Sequence, residues 1–139
     1  MRNVPGTCVT SVSHSKIKFE ENKRTIYFLN SSRKVYKCVQ VDGCAITDGI
    51  RCDKMLTSTD EHSEYYVELK GTDVGHAISQ LQTSIETLGE YNEDRHAYVV
   101  STNVVPALST LLQRAQKVFR DRYNAELRVK EKVLEVALP

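Results

Sequence analysis

An apolar strand that leads directly into an amphipathic helix is the feature that most restricts the fold of this chain. Residues 64–70 (EYYVELK) are rich in aromatic and β-branched side chains, which favour a β-strand. After Gly71, apolar residues recur at spacings of 4, 3, 4 and 3, as Val74, Ile78, Leu81, Ile85 and Leu88. Thr72 or Asp73 can cap this helix, and Gly89 can end it. A helix with one apolar stripe needs a sheet to cover it, so the pattern predicts an α/β domain.

The other segments extend this pattern in both directions. Residues 1–15 are predicted to be irregular, and residues 16–30 to form a hairpin that turns at residues 21–23. A second helix is predicted to begin near Pro106. Its expected buried face is Leu108, Leu111, Leu112, Ala115, Val118 and Phe119. A further strand is predicted at residues 36–46, broken at Asp42–Gly43, and a return strand at residues 50–57 after a turn at Asp48–Gly49. Residues 96–102 are predicted to form a strand, and residues 127–138 a strand or hairpin.

The sequence therefore predicts one domain over residues 1–139, of the α/β class with a central mixed β-sheet flanked by helices. No run of about 18 apolar residues is present that would predict a membrane span. Because residues 1–15 lack an apolar signal core, we expect a cytoplasmic protein. The four cysteines (Cys8, Cys38, Cys44 and Cys52) fit no zinc spacing, and we expect all four to be free thiols.

Charge is distributed unevenly behind a formal net charge of +1. Residues 16–55 carry nine Lys or Arg against five Asp or Glu, a net of +4, and residues 105–139 carry seven against four, a net of +3. Residues 56–95 carry two against nine, a net of −7. Clustered cations suit a phosphate backbone and clustered acids suit a metal cation, although solvated surface helices give the same segregation.

Several classes of enzyme lack their usual motifs. The four histidines are scattered without an HxxxH or HxH pair, so a zinc site is not predicted. The sequence has no nucleophile elbow of the serine hydrolases and no Walker-type phosphate loop.

Two charged residues in the strand at residues 64–70 are candidates for catalysis. Side chains alternate across a strand, so Glu68 and Lys70 face one side and Tyr65, Val67 and Leu69 face the other. Asp53 lies in the preceding predicted strand, from which it can approach Glu68. Two carboxylates on adjacent strands make an oxygen-rich site suited to Mg²⁺. An ion pair between Glu68 and Lys70 on a solvated sheet surface is the structural alternative.

The segments IRCDKML (residues 50–56) and EYYVELKGTDVGHAISQLQTS (residues 64–84) resemble the PD-(D/E)XK nuclease superfamily. In that pattern an acid on one hairpin strand precedes (D/E)-x-K on the next strand, and a helix packs on the sheet. Asp53 matches the first acid, Glu68 the second and Lys70 the lysine. Cys52 stands where the motif has proline.

The resemblance implies a restriction-endonuclease-like fold and catalytic roles for Asp53, Glu68, Lys70 and Gln80. Asp53 and Glu68 would bind Mg²⁺ or Mn²⁺, and Gln80 on the following helix would support the site. Many members also carry an acid on an N-terminal helix, for which Glu20 or Glu21 is the nearest candidate. Asp42 is either a further acid of the same pocket or part of a turn with Gly43.

Basic residues in two regions are candidate contacts for nucleic acid, namely Arg33, Lys34, Arg114, Lys117 and Arg120. An exposed amphipathic helix without a ligand would also account for the second group.

The expected function is metal-dependent hydrolysis of phosphodiester bonds in nucleic acid, with DNA as the expected partner and, by analogy with small superfamily members, a homodimer. Two alternatives stay open. One is a catalytically inactive nuclease-like module that binds nucleic acid or a protein partner. The other is a protein-interaction domain in which Glu68 and Lys70 form only an ion pair.

Overall fold

The computed structural model describes residues 1–60, 62–69, 72–90, 94–102 and 109–139. These residues form two mixed β-sheets and two α-helices, so the predicted mixed α/β class is confirmed. The helices are α1 (Val74–Leu88) and α2 (Ser109–Tyr123). The strands are β1 (Val9–Val12), β2 (Lys16–Glu21), β3 (Arg24–Leu29), β4 (Tyr36–Gln40), β5 (Lys54–Ser58), β6 (Ser63–Glu68), β7 (Asp94–Ser101), β8 (Ala125–Glu131) and β9 (Val133–Ala137).

The larger sheet has six strands in the order β1-β4-β5-β6-β7-β8. Strands β1, β4, β5 and β6 pair antiparallel, whereas β6, β7 and β8 run parallel. Parallel neighbours need long crossovers, and α1 lies between β6 and β7 in the chain as α2 lies between β7 and β8. The carboxyl ends of β6, β7 and β8 meet at one edge, which we call the site edge and define by Glu68, Ser101 and Glu131.

The smaller sheet has the strand order β2-β3-β9. Strands β2 and β3 form the predicted hairpin, and its turn places Asn22 and Lys23 at φ angles of 49° and 65°. The final strand β9 runs parallel to β3. Lys132, at a φ of 64°, carries the chain from β8 in the larger sheet to β9 in the smaller one. The predicted segment 127–138 is thus two strands that belong to different sheets.

The molecule has three layers, and this corrects the prediction of a sheet flanked by helices. Both helices cover one face of the larger sheet, where Tyr66 and Val99 pack with Leu81 and Phe119. The smaller sheet covers the other face through a second core that includes Phe28. The hairpin itself was predictable from the alternation of apolar and polar residues. Its packing on the larger sheet depends on β9, which lies more than 100 residues further along the chain.

Two segments near the N-terminus differ from their predictions. Residues 1–15 are not irregular throughout, because Val9–Val12 forms β1 and pairs with β4. The strand predicted over residues 36–46 ends at Gln40, since Gly43 takes a φ of 76° in a turn. Cys8 and Cys44 form a disulfide that joins these two segments, with their Cα atoms 5.7 Å apart. The expectation of four free thiols is therefore wrong for this pair, and holds for Cys38 and Cys52.

Helix α1 forms as predicted, and helix α2 is more exposed than predicted. Asp73 caps α1 by accepting a hydrogen bond from His76 N at 3.0 Å. On α2 only Phe119 of the described predicted face is buried, whereas Leu111 and Val118 are 43% and 37% exposed. The helix rests on the edge strand β8, which covers only a narrow stripe of it. Pro106 and Leu108 lie outside the described residues.

Within the described part of the chain, no helix is both long and apolar enough to cross a membrane.

Candidate active site

Asp53 lies immediately before β5, held against the carboxyl end of β6. Its backbone N–H donates to Val67 O at 3.1 Å, and its Oδ2 accepts a hydrogen bond from Leu69 N at 2.8 Å. Leu69 N belongs to the peptide that links Glu68 to Leu69. The Asp53 carboxylate therefore lies against the backbone next to the second predicted acid.

Glu68 is the last residue of β6 and is completely buried. Tyr65, Val67 and Leu69 pack into the core beneath the smaller sheet, while Tyr66 packs beneath the helices. Alternation along the strand then directs Glu68 toward the helices, and the predicted orientation of this strand is confirmed for its described residues. Lys70, the third predicted catalytic residue, lies outside the described residues.

Two carboxylates are thus buried close together at the site edge, with Asp53 only 5% exposed. The charges of both carboxylates affect the pKa of the neighbouring Cys52 thiol. Burial is the main cause that raises the pKa of Cys52 to about 12; a hydrogen bond with Ser84 opposes this shift, and the charges of Glu68 and Asp53 add to it. Both carboxylates therefore lie near enough to Cys52 to affect its thiol.

Helix α1 holds the segment that carries Asp53. Gln80 Nε2 donates to Arg51 O at 3.0 Å, and Ser84 Oγ accepts from Cys52 N at 2.7 Å and donates to Gln80 O at 2.9 Å. Gln80 thus contacts the backbone two residues before Asp53, and its predicted role at the site stays a prediction. Sequence reasoning missed Ser84, although a serine within the apolar stripe, between Leu81 and Ile85, is a usable signal.

Arg24 of β3 reaches the site edge from the smaller sheet. Its Nη1 donates to Leu69 O at 3.0 Å, and its Nε donates to Thr102 Oγ1 at 2.9 Å. The guanidinium therefore ties the end of β6 to the segment that follows β7. No pattern in the sequence predicts this contact, because it depends on the docking of the smaller sheet.

The additional acids suggested by the sequence do not lie on an N-terminal helix. Glu20 and Glu21 lie on β2 of the smaller sheet and not on a helix. Glu20 accepts a hydrogen bond from Thr25 Oγ1 at 2.8 Å there. Asp42 Oδ1 accepts from Arg51 Nε at 2.9 Å beside the turn at Gly43, which agrees with the turn interpretation.

The predicted nucleic-acid contacts are spread over the molecule. Arg33 and Lys34 precede Tyr36, which pairs with Ser58 at the end of β5 remote from Asp53. Arg120 lies in the last turn of α2, close to the start of β8 and so also at the edge opposite the site. Lys117 pairs with Asp121 at 2.7 Å on the exposed face of α2, where Arg114 is also exposed. The structure does not bring these five residues together around Asp53 and Glu68.

A cavity near that opposite edge is unrelated to the carboxylates. A cavity of about 560 Å³ is lined by Asp94, His96 and Arg120, among others. Its one buried arginine, Arg95, donates to Glu64 Oε1 at 2.8 Å and to Tyr123 O at 2.7 Å, and is therefore engaged in holding the fold.

The donor set at the site edge suits a hard divalent cation. Among the described residues, no group of three His, Cys, Asp or Glu side chains is placed to hold a metal ion. Mg²⁺ is commonly bound by only one or two carboxylates, with water and substrate phosphate completing its shell. Asp53 and Glu68 fit that smaller requirement.

Comparison with known proteins gives no assignment: no family model, curated protein or solved structure shows a significant match to the chain.

Proposed function

We propose that this protein is a metal-dependent endonuclease of the PD-(D/E)XK type. It hydrolyses phosphodiester bonds in nucleic acid, and DNA is its proposed substrate. The observation that carries the proposal is the burial of Asp53 and Glu68 together at the end of β6. Burying two carboxylates is costly unless a cation, hydrogen-bond donors or an ion pair compensates them, and metal-binding and catalytic sites are among the places where proteins bury such pairs.

The order of elements supports a restriction-endonuclease-like fold. The hairpin strands β4 and β5, the strand β6, the helix α1 and the parallel strand β7 follow each other as the superfamily pattern requires. Asp53 lies immediately before β5 and Glu68 at the end of β6, close to the positions that the pattern assigns to its two acids.

Each residue has a defined role in this proposal. Asp53 and Glu68 hold one or two Mg²⁺ or Mn²⁺ ions, whose chemistry is to polarise the scissile phosphate and lower the pKa of a bound water. Lys70 orients the attacking water and stabilises the negative charge that develops on the phosphate. Gln80 acts indirectly, since it fixes the carbonyl of Arg51 and with it the segment that carries Asp53. A homodimer would allow two such sites to cut both strands of a duplex.

A second candidate is a nuclease-like module without activity, which binds nucleic acid or a protein partner. Two observations favour it. One Asp53 oxygen already accepts a hydrogen bond from Leu69 N, and the acids Glu20 and Glu21 lie in the other sheet. In this alternative the two carboxylates are retained for structure alone.

The test is cleavage of a panel that contains supercoiled plasmid, linear duplex, branched DNA, single-stranded DNA and RNA. Each substrate is incubated with Mg²⁺, Mn²⁺ or a chelator, and the wild type is compared with Lys70→Ala. Lys54→Ala is the matched control, because Lys54 is on the neighbouring strand and faces the smaller sheet, with its Nζ 5.5 Å from the centre of the Phe19 ring.

We expect metal-dependent cleavage that Lys70→Ala loses by at least about 100-fold and Lys54→Ala retains, since positioned acid–base groups contribute about that much or more. Absence of cleavage of every substrate by folded wild type would favour the inactive module.

A further inference from the structure

Four cations in or beside two turns lie along the site edge, on the side of the smaller sheet. Lys23 lies in the β2–β3 turn and Arg24 begins β3, while Lys130 lies near the end of β8 and Lys132 in the crossover from β8 to β9. We call this group the turn rim. None of these four residues has a role in the catalytic proposal above.

Backbone hydrogen bonds bring the two turns together at this edge. Thr25 N donates to Lys132 O at 2.9 Å, and Lys132 N donates to Ser101 O at 2.9 Å. Arg24 extends the connection to the end of β6 through Leu69 O. Neighbouring strands are about 4.8 Å apart, so the ends of β6 and β8 are separated by about 10 Å. The turn rim is therefore within reach of a phosphate backbone that crosses the site edge.

The lysines of the turn rim are available to a ligand. Lys23, Lys130 and Lys132 are all exposed, and Lys132 is 68% exposed. Its only ion pair among the described residues is a 3.9 Å contact with Glu131, which is itself exposed. Surface ion pairs of this kind are weak and are readily exchanged for contacts with a phosphate.

The cations of helix α2 are less suited to this role. Lys117 contacts Asp121 at 2.7 Å, Arg120 lies 3.9 Å from the same carboxylate, and Arg122 lies 3.9 Å from Glu86. These pairs neutralise part of the helix, and Arg120 is at the edge opposite the site. Position therefore favours the turn rim over the helix.

We propose that the turn rim binds the sugar–phosphate backbone of the nucleic acid and holds it across the site edge, beside Asp53 and Glu68. This inference rests on the proposed nuclease function and names the surface that this function uses. Contacts to phosphates supply affinity and register without reading sequence, so the turn rim would bind duplexes of different sequence alike.

The test is binding of a short fluorescein-labelled DNA duplex, followed by anisotropy in chelator between about 50 and 200 mM NaCl. The test variant is the double substitution Lys23→Asn and Lys132→Asn, because asparagine tolerates the left-handed φ of both positions. The matched control is Lys117→Gln with Arg120→Gln, which removes the same charge from α2. Cleavage by all three proteins is measured in parallel with Mg²⁺.

We expect the turn-rim variant to bind about tenfold more weakly at 50 mM salt, with a log–log salt dependence reduced by about 0.9 for each phosphate that the variant no longer neutralises. The α2 control should bind as the wild type does. If the wild type cleaves DNA but both variants bind equally well, the turn-rim inference is wrong while the nuclease stands. If the wild type neither cleaves nor binds in a salt-dependent way, both proposals fail together.

Discussion

At the scale of single residues, the central fact is that Asp53 has a structural contact as well as a proposed chemical role. Its Oδ2 accepts the hydrogen bond of Leu69 N at 2.8 Å within the interior. A metal site built on such a residue needs both the oxygen that holds the strand and the negative charge that holds the cation. These two requirements are separable, because an amide oxygen also accepts a hydrogen bond but carries no charge.

Substitution of Asp53 separates the two roles. We expect Asp53→Asn to keep the free energy of unfolding within about 1 kcal/mol of wild type, since an amide oxygen can still accept from Leu69 N. Asp53→Ala should lower it by about 1–3 kcal/mol, because the buried N–H loses its acceptor. Both variants should lose cleavage. Urea denaturation measures the free energy of unfolding. Equal stability of the two variants would show that the hydrogen bond is unimportant.

The sequence was sufficient to predict the positions of some of these residues, but not the contacts of others. Strand alternation was enough to predict the orientation of Glu68, because it depends only on neighbours in the chain. The contacts of Ser84 with Cys52 and of Arg24 with Leu69 join residues 32 and 45 positions apart. Such partners are set by how helix and sheets pack, so no local pattern could identify them.

At the scale of elements, helix α1 acts as a support for the segment that carries Asp53. Gln80 and Ser84 each hydrogen-bond its backbone, at Arg51 and Cys52. Any change that weakens these bonds should affect the site without touching an acid.

Ser84→Ala tests this support. The substitution leaves the buried N–H of Cys52 without its acceptor, and we expect a loss of about 1–3 kcal/mol in the free energy of unfolding together with reduced cleavage. Thr87→Ala is the control, because Thr87 makes the same hydroxyl-to-carbonyl bond to Thr83 O, at 2.8 Å, on the exposed side of α1. A similar loss in both variants would indicate that only the helix, and not the site segment, depends on Ser84.

Elements with a strong local period were predicted well, and those that depend on the rest of the molecule were not. Helix α1 and the β2–β3 hairpin follow from periods of about 3.6 and 2 residues. Strand β4 ends early because of the turn at Gly43, and β1 exists because β4 offers an edge to pair with. For α2, the apolar spacing correctly indicated a helix, but the narrow edge strand β8 leaves Leu111 and Val118 exposed.

At the scale of the whole molecule, the smaller sheet and the disulfide are the main departures from expectation. The smaller sheet occupies the face where a helix layer was predicted, and it supplies Arg24 to the site edge. The Cys8–Cys44 bridge ties the N-terminal segment to the turn after β4. Disulfides are rare in cytosolic proteins, so the bridge argues against the cytoplasmic location, which stays a prediction.

Thiol counting tests the disulfide and the two free thiols. Burial raises the pKa of Cys38 to about 11 and that of Cys52 to about 12, so at pH 8 both should be alkylated far more slowly than an ordinary thiol. In denaturant, two thiols should react without reductant and all four after reduction. Reaction of four thiols without reductant would contradict the Cys8–Cys44 bridge.

The most direct test of the proposed metal site is binding of Mn²⁺ to the protein alone, measured by isothermal titration calorimetry. The comparison is between wild type and the double variant Asp53→Asn with Glu68→Gln, each shown to be folded by circular dichroism. A metal-dependent nuclease requires that wild type bind Mn²⁺ and that the double variant bind at least about tenfold more weakly, since both carboxylates are its proposed ligands. No binding by folded wild type, or equal binding by both proteins, would contradict the central claim.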